Sequence, residues 1–491
     1  MATTHKLREI VIGAPRDPMN PDTRRHIALI AFFAWVGLGA DGLSSANYGP
    51  EEAYLALGTH TQLGLYLAAA TIITVFIISL AYNQVIELFP NGGGGYKVAT
   101  QLISPRAGLV AGSALIVDYV LTIAISVASG ADAVFSMLPL SWHDWKVAFA
   151  AALVVALLAL NLRGMKEAIK ILLPIFVGFV IVHAALISYG IYAHAEGLPQ
   201  LVPETLAETA VMAKQSGWTF VAATLLFAYS HGGGTYTGLE AVSNNINTLA
   251  EPRVRTGKWT MFYMAMSLAF TAGGILVLYL LWDAVKIPGQ TLNATVFKAI
   301  IEDFDLGSAA INQSALLVVL LLEAGLLFVA ANTGFLGGPA VLANMAADSW
   351  VPRQFRQLSS RLVTQNGMVL MGAAALIVLL WSQGSVALLV VLYSINVFLT
   401  FSIALWGLCL YWIKNRRSAP NWRGRLLLSA AGFFVTGGIL LVLIFGKFYD
   451  GGWVTLLITG GVILLCAVIR WHYNETREQL RKIDNLFHLA E

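Results

Sequence analysis

Long apolar runs separated by short polar loops dominate this chain. A helix needs roughly 20 apolar residues to cross a bilayer. Runs of that kind lie at 27–57, 63–88, 107–138, 147–162, 169–192 and 218–245. Six more follow at 259–282, 313–345, 368–381, 386–411, 426–445 and 453–471. The pattern predicts an all-α integral membrane protein with twelve transmembrane helices. A transporter domain covers 27–471, flanked by cytoplasmic tails at 1–26 and 472–491. The last two runs carry almost no polar residues at depth and are expected at the periphery. The segment from Pro288 to Asp305 reads as a short external helix, and the charged tail beyond 471 as a short surface helix.

Two runs are interrupted. The first reads AWVGLGADGLSSANYGPEEAYLALG and is broken around Gly39 and Gly42. The sixth reads LLFAYSHGGGTYTGLEAVSN, with Gly232, Gly233 and Gly234 in succession. Glycine costs roughly 1 kcal/mol in a helix interior relative to alanine. Backbone that leaves the helix at membrane depth survives only inside protein or along a wet cavity. Interrupted helices at matching positions of two halves point to a transporter binding site. The two breaks fit an inverted repeat of five plus five helices, about 27–192 and 218–411, with two further spans over 426–471. Glycines placed only for close helix packing are the plainer alternative.

Charge gives the orientation. Of 30 Lys and Arg, 25 fall on one side if the N-terminus is cytoplasmic and the spans alternate. They begin with Lys6, Arg8, Arg16, Arg24 and Arg25 and end with Arg470, Arg477, Arg481 and Lys482. Only Lys146, Lys214, Lys286, Lys298 and Lys447 fall outside. That bias places both termini in the cytoplasm of a multi-pass cell (inner) membrane protein. Apolar residues make up 57% of the chain and charged residues 12%, so lipid must cover a body with too little polar surface for water. The net charge of +3 suggests no nucleic-acid partner. Cys409 and Cys466 both lie in apolar runs and define no disulfide framework. No cleavable signal peptide is expected, since the first apolar run lacks a small-residue cleavage site.

Ionisable residues at depth are expensive and functional by default. Asp41 lies in the first break, Asp118 in the third span, Glu240 just after the second break and Glu323 in the eighth span. Glu87 and Asp132 sit nearer span ends. No mid-span Lys or Arg stands against the acids, so the site suits a small cation. Tyr119, Thr122 and Ser126 share a helix face at i, i+3, i+7 spacing, and Thr237 and Glu240 are i, i+3. Such hydroxyls and carboxylates, with carbonyls freed at the breaks, can replace the water around an alkali cation. Tyr48 and Tyr393 can add hydroxyl or ring-face contacts. Thr122 and Ser126 hydroxyls bonded back to their own helix are the alternative.

Other motifs carry less. The loop NGGGGYK from Asn91 to Lys97 departs from the phosphate-loop pattern and reads as a mobile cytoplasmic gate. His231 is a proton-handling group or a polar hinge residue, and His183 a packing residue. No H-E-x-x-H or G-x-S-x-G pattern occurs, so no enzyme, cofactor or resident metal is expected.

The residues above resemble the amino acid–polyamine–organocation superfamily with its LeuT-type fold, and within it the KimA potassium importers, relatives of the KUP proteins. The matching stretches are ADGLSSANYGPEE (Ala40 to Glu52), PNGGGGYKV (Pro90 to Val98), GLVAGSALIVDYVLTIAISVASGADA (Gly108 to Ala133), NLRGMKEA (Asn161 to Ala168), TGLEAVSN (Thr237 to Asn244) and LFVAANTGF (Leu327 to Phe335). The resemblance implies proton-coupled potassium import. It places the ion site on Asp41, Tyr48, Asp118, Tyr119, Thr122, Ser126, Thr237, Glu240 and Tyr393. Glu240, Asp118 and the additional acid Glu323 are the candidates for proton coupling.

Family members usually carry a C-terminal cytosolic domain that dimerises and in some binds cyclic di-AMP. This sequence ends soon after the twelfth span, so that regulation is not expected from it, and a homodimer stays open. Asn47, His231 and Tyr236 are unexpected near the breaks. An amino acid or amine is the alternative cargo. In permeases of the superfamily, backbone amides of a G-S-G break bind the substrate carboxylate. The nearest counterpart, Gly37-Leu38-Gly39, precedes Asp41, which would repel a carboxylate.

Overall fold

The computed structural model describes residues 29–163, 165–418 and 421–490. The predicted tail over 1–26, with its five cations, lies outside the described residues, as do the side chains of Lys166 and Lys170. Apart from a single bridge between Leu29 and Leu249, the described residues form only helices and turns.

Nine helices are long and apolar enough to cross a membrane among the described residues. Of the predicted spans, the two interrupted ones and the short helix Gln365–Trp381 fall outside that group. The first interrupted run forms α1 (Ala31–Ser44) and α2 (Gly49–Leu55), followed by α3 (Gly64–Leu88) and the short α4 (Gly94–Val98). Next come α5 (Pro105–Phe135), α6 (Lys146–Arg163), α7 (Met165–Ala193) and α8 (Leu198–Ser216). The sixth run gives α9 (Trp218–His231), a 3-10 turn over Gly232–Tyr236 and a single helical turn, α10 (Ala241–Asn244). The remainder is α11 (Arg253–Leu281), α12 (Leu292–Phe304), α13 (Ala309–Ala347), α14 (Gln365–Trp381), α15 (Val386–Lys414), α16 (Trp422–Gly446) and α17 (Trp453–Ala490).

Helix α5 is the centre of the bundle. Ser104 caps its first turn by accepting from the Ala107 amide, and Pro105 starts it. Its apolar stretch is 94% buried, against 17% for α6 and 22% for α17. It packs along α13 and α15, while α1 lies between α11 and α13. The last two spans are peripheral, as their apolar composition predicts. The short helix expected between Pro288 and Asp305 is α12. Helix α8 was not foreseen; its composition is too polar for a span and it follows α7 as a surface segment. The tail helix is a continuation of α17.

Both interruptions fall later than the glycines alone predict. Gly39 and Gly42 stay within α1, and the chain leaves the helix at Ser45–Tyr48. Gly232, Gly233 and Gly234 hold a tight 3-10 turn, and the extended break comes at Thr237 and Gly238, where φ reaches +79°. The triplet serves close approach on three sides. A Cβ at Gly232 would meet Ala53 at 2.8 Å, at Gly233 Phe398 at 2.8 Å, and at Gly234 Tyr48 at 2.9 Å. At Gly238 it would meet the Gly42 amide nitrogen at 2.6 Å and Asp41 at 2.9 Å. The packing alternative for the triplet is therefore correct for these contacts, and it coexists with the break.

These contacts make Gly238→Ala severe. A left-handed conformation costs a non-glycine residue roughly 1–2 kcal/mol, and the backbone collision adds to it. The variant is expected to lose monodisperse, heat-stable protein in detergent size-exclusion chromatography. Gly438→Ala, whose Cβ would meet nothing within 4 Å, should run like the parent.

Candidate functional site

The two interrupted helices meet at their breaks. The Ser45 hydroxyl lies 2.5 Å from the Gly42 carbonyl oxygen and 2.8 Å from that of Thr235, tying the first break to the second. The Ser44 hydroxyl donates to the Asp41 carbonyl at 2.7 Å. A Cβ at Gly49 would lie 2.1 Å from the Thr235 hydroxyl, so only glycine lets α2 rest on the 3-10 turn.

Asp41, Asp118 and Glu240 are 2%, 1% and 3% exposed. Each is close enough to another of the three to interact with it electrostatically, with Glu240 beside both aspartates. Among the described residues no Lys or Arg forms an ion pair with any of them. The backbone at Gly238 and Glu240 lies close enough to the Glu240 carboxylate to favour its charge. Its Oε2 and Oδ1 of Asp118 have no hydrogen-bond partner.

Hydroxyls frame the acids. Thr122 donates to the Asp118 carbonyl at 3.0 Å and lies 3.3 Å from the Tyr393 hydroxyl, so it is bonded back to its helix and also reaches across to α15. Thr237 donates to the Gly234 carbonyl at 2.8 Å and meets the Tyr48 hydroxyl. Tyr393 shares the field of Asp41, Tyr48, Asp118 and Glu240. Ser126 is buried one turn beyond Thr122 on α5. Tyr119 points elsewhere: its hydroxyl accepts from Asn244 at 2.7 Å, and its ring fills the space left by Gly337.

The predicted residues thus converge, with Glu323 as the exception. Glu323 accepts from Asn293 at 3.0 Å, and Asn293 accepts from the Tyr279 hydroxyl at 2.5 Å. Its charged neighbour is Glu51, not the three central acids. Tyr119, though bonded to Asn244, also lies in the field of Glu240, Asp118 and Asp41. His231 bonds back to the Phe227 carbonyl at 2.8 Å in the last turn of α9, its ring tilted against that of Phe227. His183 stacks on Phe179 at 3.7 Å and bonds the Phe179 carbonyl, a packing role. Tyr82 of α3 lies in the field of Glu240 and Asp118 and was missed, since one tyrosine in an apolar run carries no signal. Asn244 was inside a quoted motif, TGLEAVSN, but its partner Tyr119 lies 125 positions away.

Both mouths of the bundle are closed. On one side Glu51 of α2 pairs with Lys286 and accepts from the Leu292 amide at 2.9 Å, holding the start of α12. On the other, the loop after α3 packs on α10: the Gly93 amide donates to the Asn244 carbonyl at 3.4 Å, and a Cβ at Gly94 would lie 1.8 Å from the Asn244 side chain. Beside it, Tyr96 donates to Asp348 at 2.6 Å, and Glu87 pairs with Lys258 and with Arg425. A buried group of three acids favours small positive charges, since isolated carboxylates in a low dielectric are strongly disfavoured.

The chain is similar to several known proteins. The family model described as amino acid permease matches residues 31–469. The potassium transporter KimA of Bacillus subtilis is 31% identical over 486 residues, 98% of this chain and 76% of that protein. The low-affinity putrescine importer PlaP of Escherichia coli is 29% identical over 129 residues, 26% of this chain and 28% of that one. A crystal structure of the manganese transporter of Eremococcus coleocola aligns with 94% of this chain and 98% of its own, at 14% identity and a TM-score of 0.49. With a family model matched over residues 31–469 and a relative 31% identical over 98% of this chain, the chain belongs to the amino acid permease family of multi-pass membrane proteins, in the KimA-type group.

Proposed function

We propose that this chain imports potassium together with protons by alternating access. The observation that carries the reading is the cluster of Asp41, Asp118 and Glu240, buried in one electrostatic environment with no ion-paired base among the described residues. An extended zwitterion would bring a carboxylate into that cluster. A dehydrated monovalent cation would instead find carboxylates, the hydroxyls of Tyr48, Thr122, Ser126, Thr237 and Tyr393, and backbone carbonyls. The full-length relative is named a potassium transporter. In this reading Asp118 or Glu240 takes a proton when the site faces out and releases it inside.

The reading extends to topology. The segments 27–192 and 218–411 act as inverted repeats around the site, and 426–471 supplies two peripheral spans. Both termini are cytoplasmic, as the bias of 25 cations among 30 supports. Inward movement of each potassium ion gains roughly 2.3 kcal/mol per 100 mV of membrane potential. The loop from Asn91 to Lys97 is then the inner gate and the Glu51–Lys286 pair part of the outer one. A homodimer fits the reading but is not required by it. A short diamine is the second cargo in order: PlaP, a putrescine importer, matches part of the chain, and such a molecule carries charge of the same sign.

Expression in cells lacking potassium uptake should restore growth at limiting potassium, and Asp41→Asn should abolish it. Rescue by Asp41→Asn equal to the parent would remove Asp41 from the ion site. In proteoliposomes, rubidium uptake should rise as the outer side is acidified and fall when an uncoupler collapses the gradient; uptake indifferent to both would exclude proton coupling.

Glu323 gives a further test. Sites without shared partners contribute additively to within about 0.5 kcal/mol. The effects of Glu323→Gln and Glu240→Gln on the apparent potassium affinity should therefore add in the double variant. Strong non-additivity would join Glu323 to the central site.

A further inference from the structure

Away from the acids, an apolar groove of about 500 Å³ opens between α5, α14 and α17. Its floor includes Val117 and Leu121 of α5, and its wall runs from Thr455 through Val462 to Ile469 of α17. That stretch of α17 rises roughly 20 Å, more than the roughly 15 Å of hydrocarbon in one leaflet. Lipid-facing side chains border it, with Ile377 67% and Leu465 60% exposed.

The groove ends at a pair of cations. Arg470 follows Ile469 directly and lies over the Trp350 ring at 3.9 Å. Arg353, three residues after Trp350, lies over Tyr473 of α17 at 5.8 Å. Among the described residues neither arginine forms an ion pair with a carboxylate. Asp348, near Trp350 in sequence, is engaged by the Tyr96 hydroxyl. The ring contacts fix where both guanidinium groups sit without neutralising them.

A slot with an apolar wall of leaflet depth and two unneutralised arginines at one end matches one occupant by charge and shape. We propose that it holds an anionic glycerophospholipid, with an acyl chain along α17 and its phosphate on Arg353 and Arg470. A second copy of the chain fits less well, since it would need a ridge to enter the slot and an acid to meet the arginines. The placement has a consequence for the site. Val117 and Leu121 flank Asp118 and Thr122 on α5, and Leu392 of α15, also on the groove, precedes Tyr393. A bound chain would therefore press on the back of two helices that carry the ion-site residues.

The test needs no transport assay, so it stands apart from the potassium reading. Delipidated full-length protein is offered phosphatidylglycerol or phosphatidylcholine with identical chains and examined by native mass spectrometry. One phosphatidylglycerol should be retained at least about tenfold better than phosphatidylcholine. The double variant Arg353→Gln, Arg470→Gln should weaken that retention about 30-fold, as for two cations removed from an anionic headgroup. Val462→Trp, which fills the groove, should displace the lipid with both arginines present. Equal retention of the two lipids, or retention unchanged in the arginine double variant, would overturn the proposal. So would a lipid-free dimer joined by a disulfide between two copies of a Val462→Cys variant. Arg353 is exposed and Arg470 half-buried, so glutamines there keep the fold and their variant decides the matter even if Val462→Trp does not fold.

Discussion

Burying like charges together without a base to answer them is the constraint on which this molecule turns. Asp41, Asp118 and Glu240 come from three different segments, yet they share one water-poor environment. In a soluble core such a cluster would be replaced or paired. Here the surrounding bundle holds it with hydrogen bonds that fix the backbone and leave carboxylate oxygens unused. The energetic demand of that cluster is what gives the protein affinity for positive charge, and it makes occupancy and conformation interdependent.

Holding two broken helices against each other requires backbone to touch backbone. Gly49 and Gly238 permit that approach, while Gly232, Gly233 and Gly234 admit the side chains of Ala53, Phe398 and Tyr48 at distances no Cβ would tolerate. Because each faces a different neighbour, the break is locked on several sides. Ser45 closes the remaining gap by spanning the carbonyls of both segments. Rigid support of this kind lets the acids converge while the gates at either mouth remain built from weaker contacts, a glycine loop on one side and an exposed lysine on the other.

Much of this was legible in the sequence, for identifiable reasons. Apolar runs of bilayer length are a strong signal, and acids without bases inside them stand out. Helix spacing alone placed Thr122 and Ser126 on one face of α5. The exact break was less legible: Gly232 to Gly234 look like the discontinuity, but tertiary contacts keep them turned in a 3-10 coil, and the chain opens at Thr237 and Gly238. Glu323 looked equivalent to the other acids because depth in a span does not reveal which neighbour a side chain meets. Its partner Asn293 sits on α12, a short helix whose docking no periodicity could show. Tyr82 and the partnership of Tyr119 with Asn244 depend on contacts across the bundle that lie far apart along the chain.

The account comes down to whether the three central acids hold a compact monovalent ion. Crystals or vitrified particles prepared in rubidium, with anomalous or difference density read between α1, α5 and α10, measure this directly. The account predicts one compact peak in contact with carboxylate oxygens of Asp118 and Glu240, and its loss in Asp118→Asn. Elongated density of an organic molecule there, or a rubidium peak bound elsewhere while these acids contact none, would contradict it.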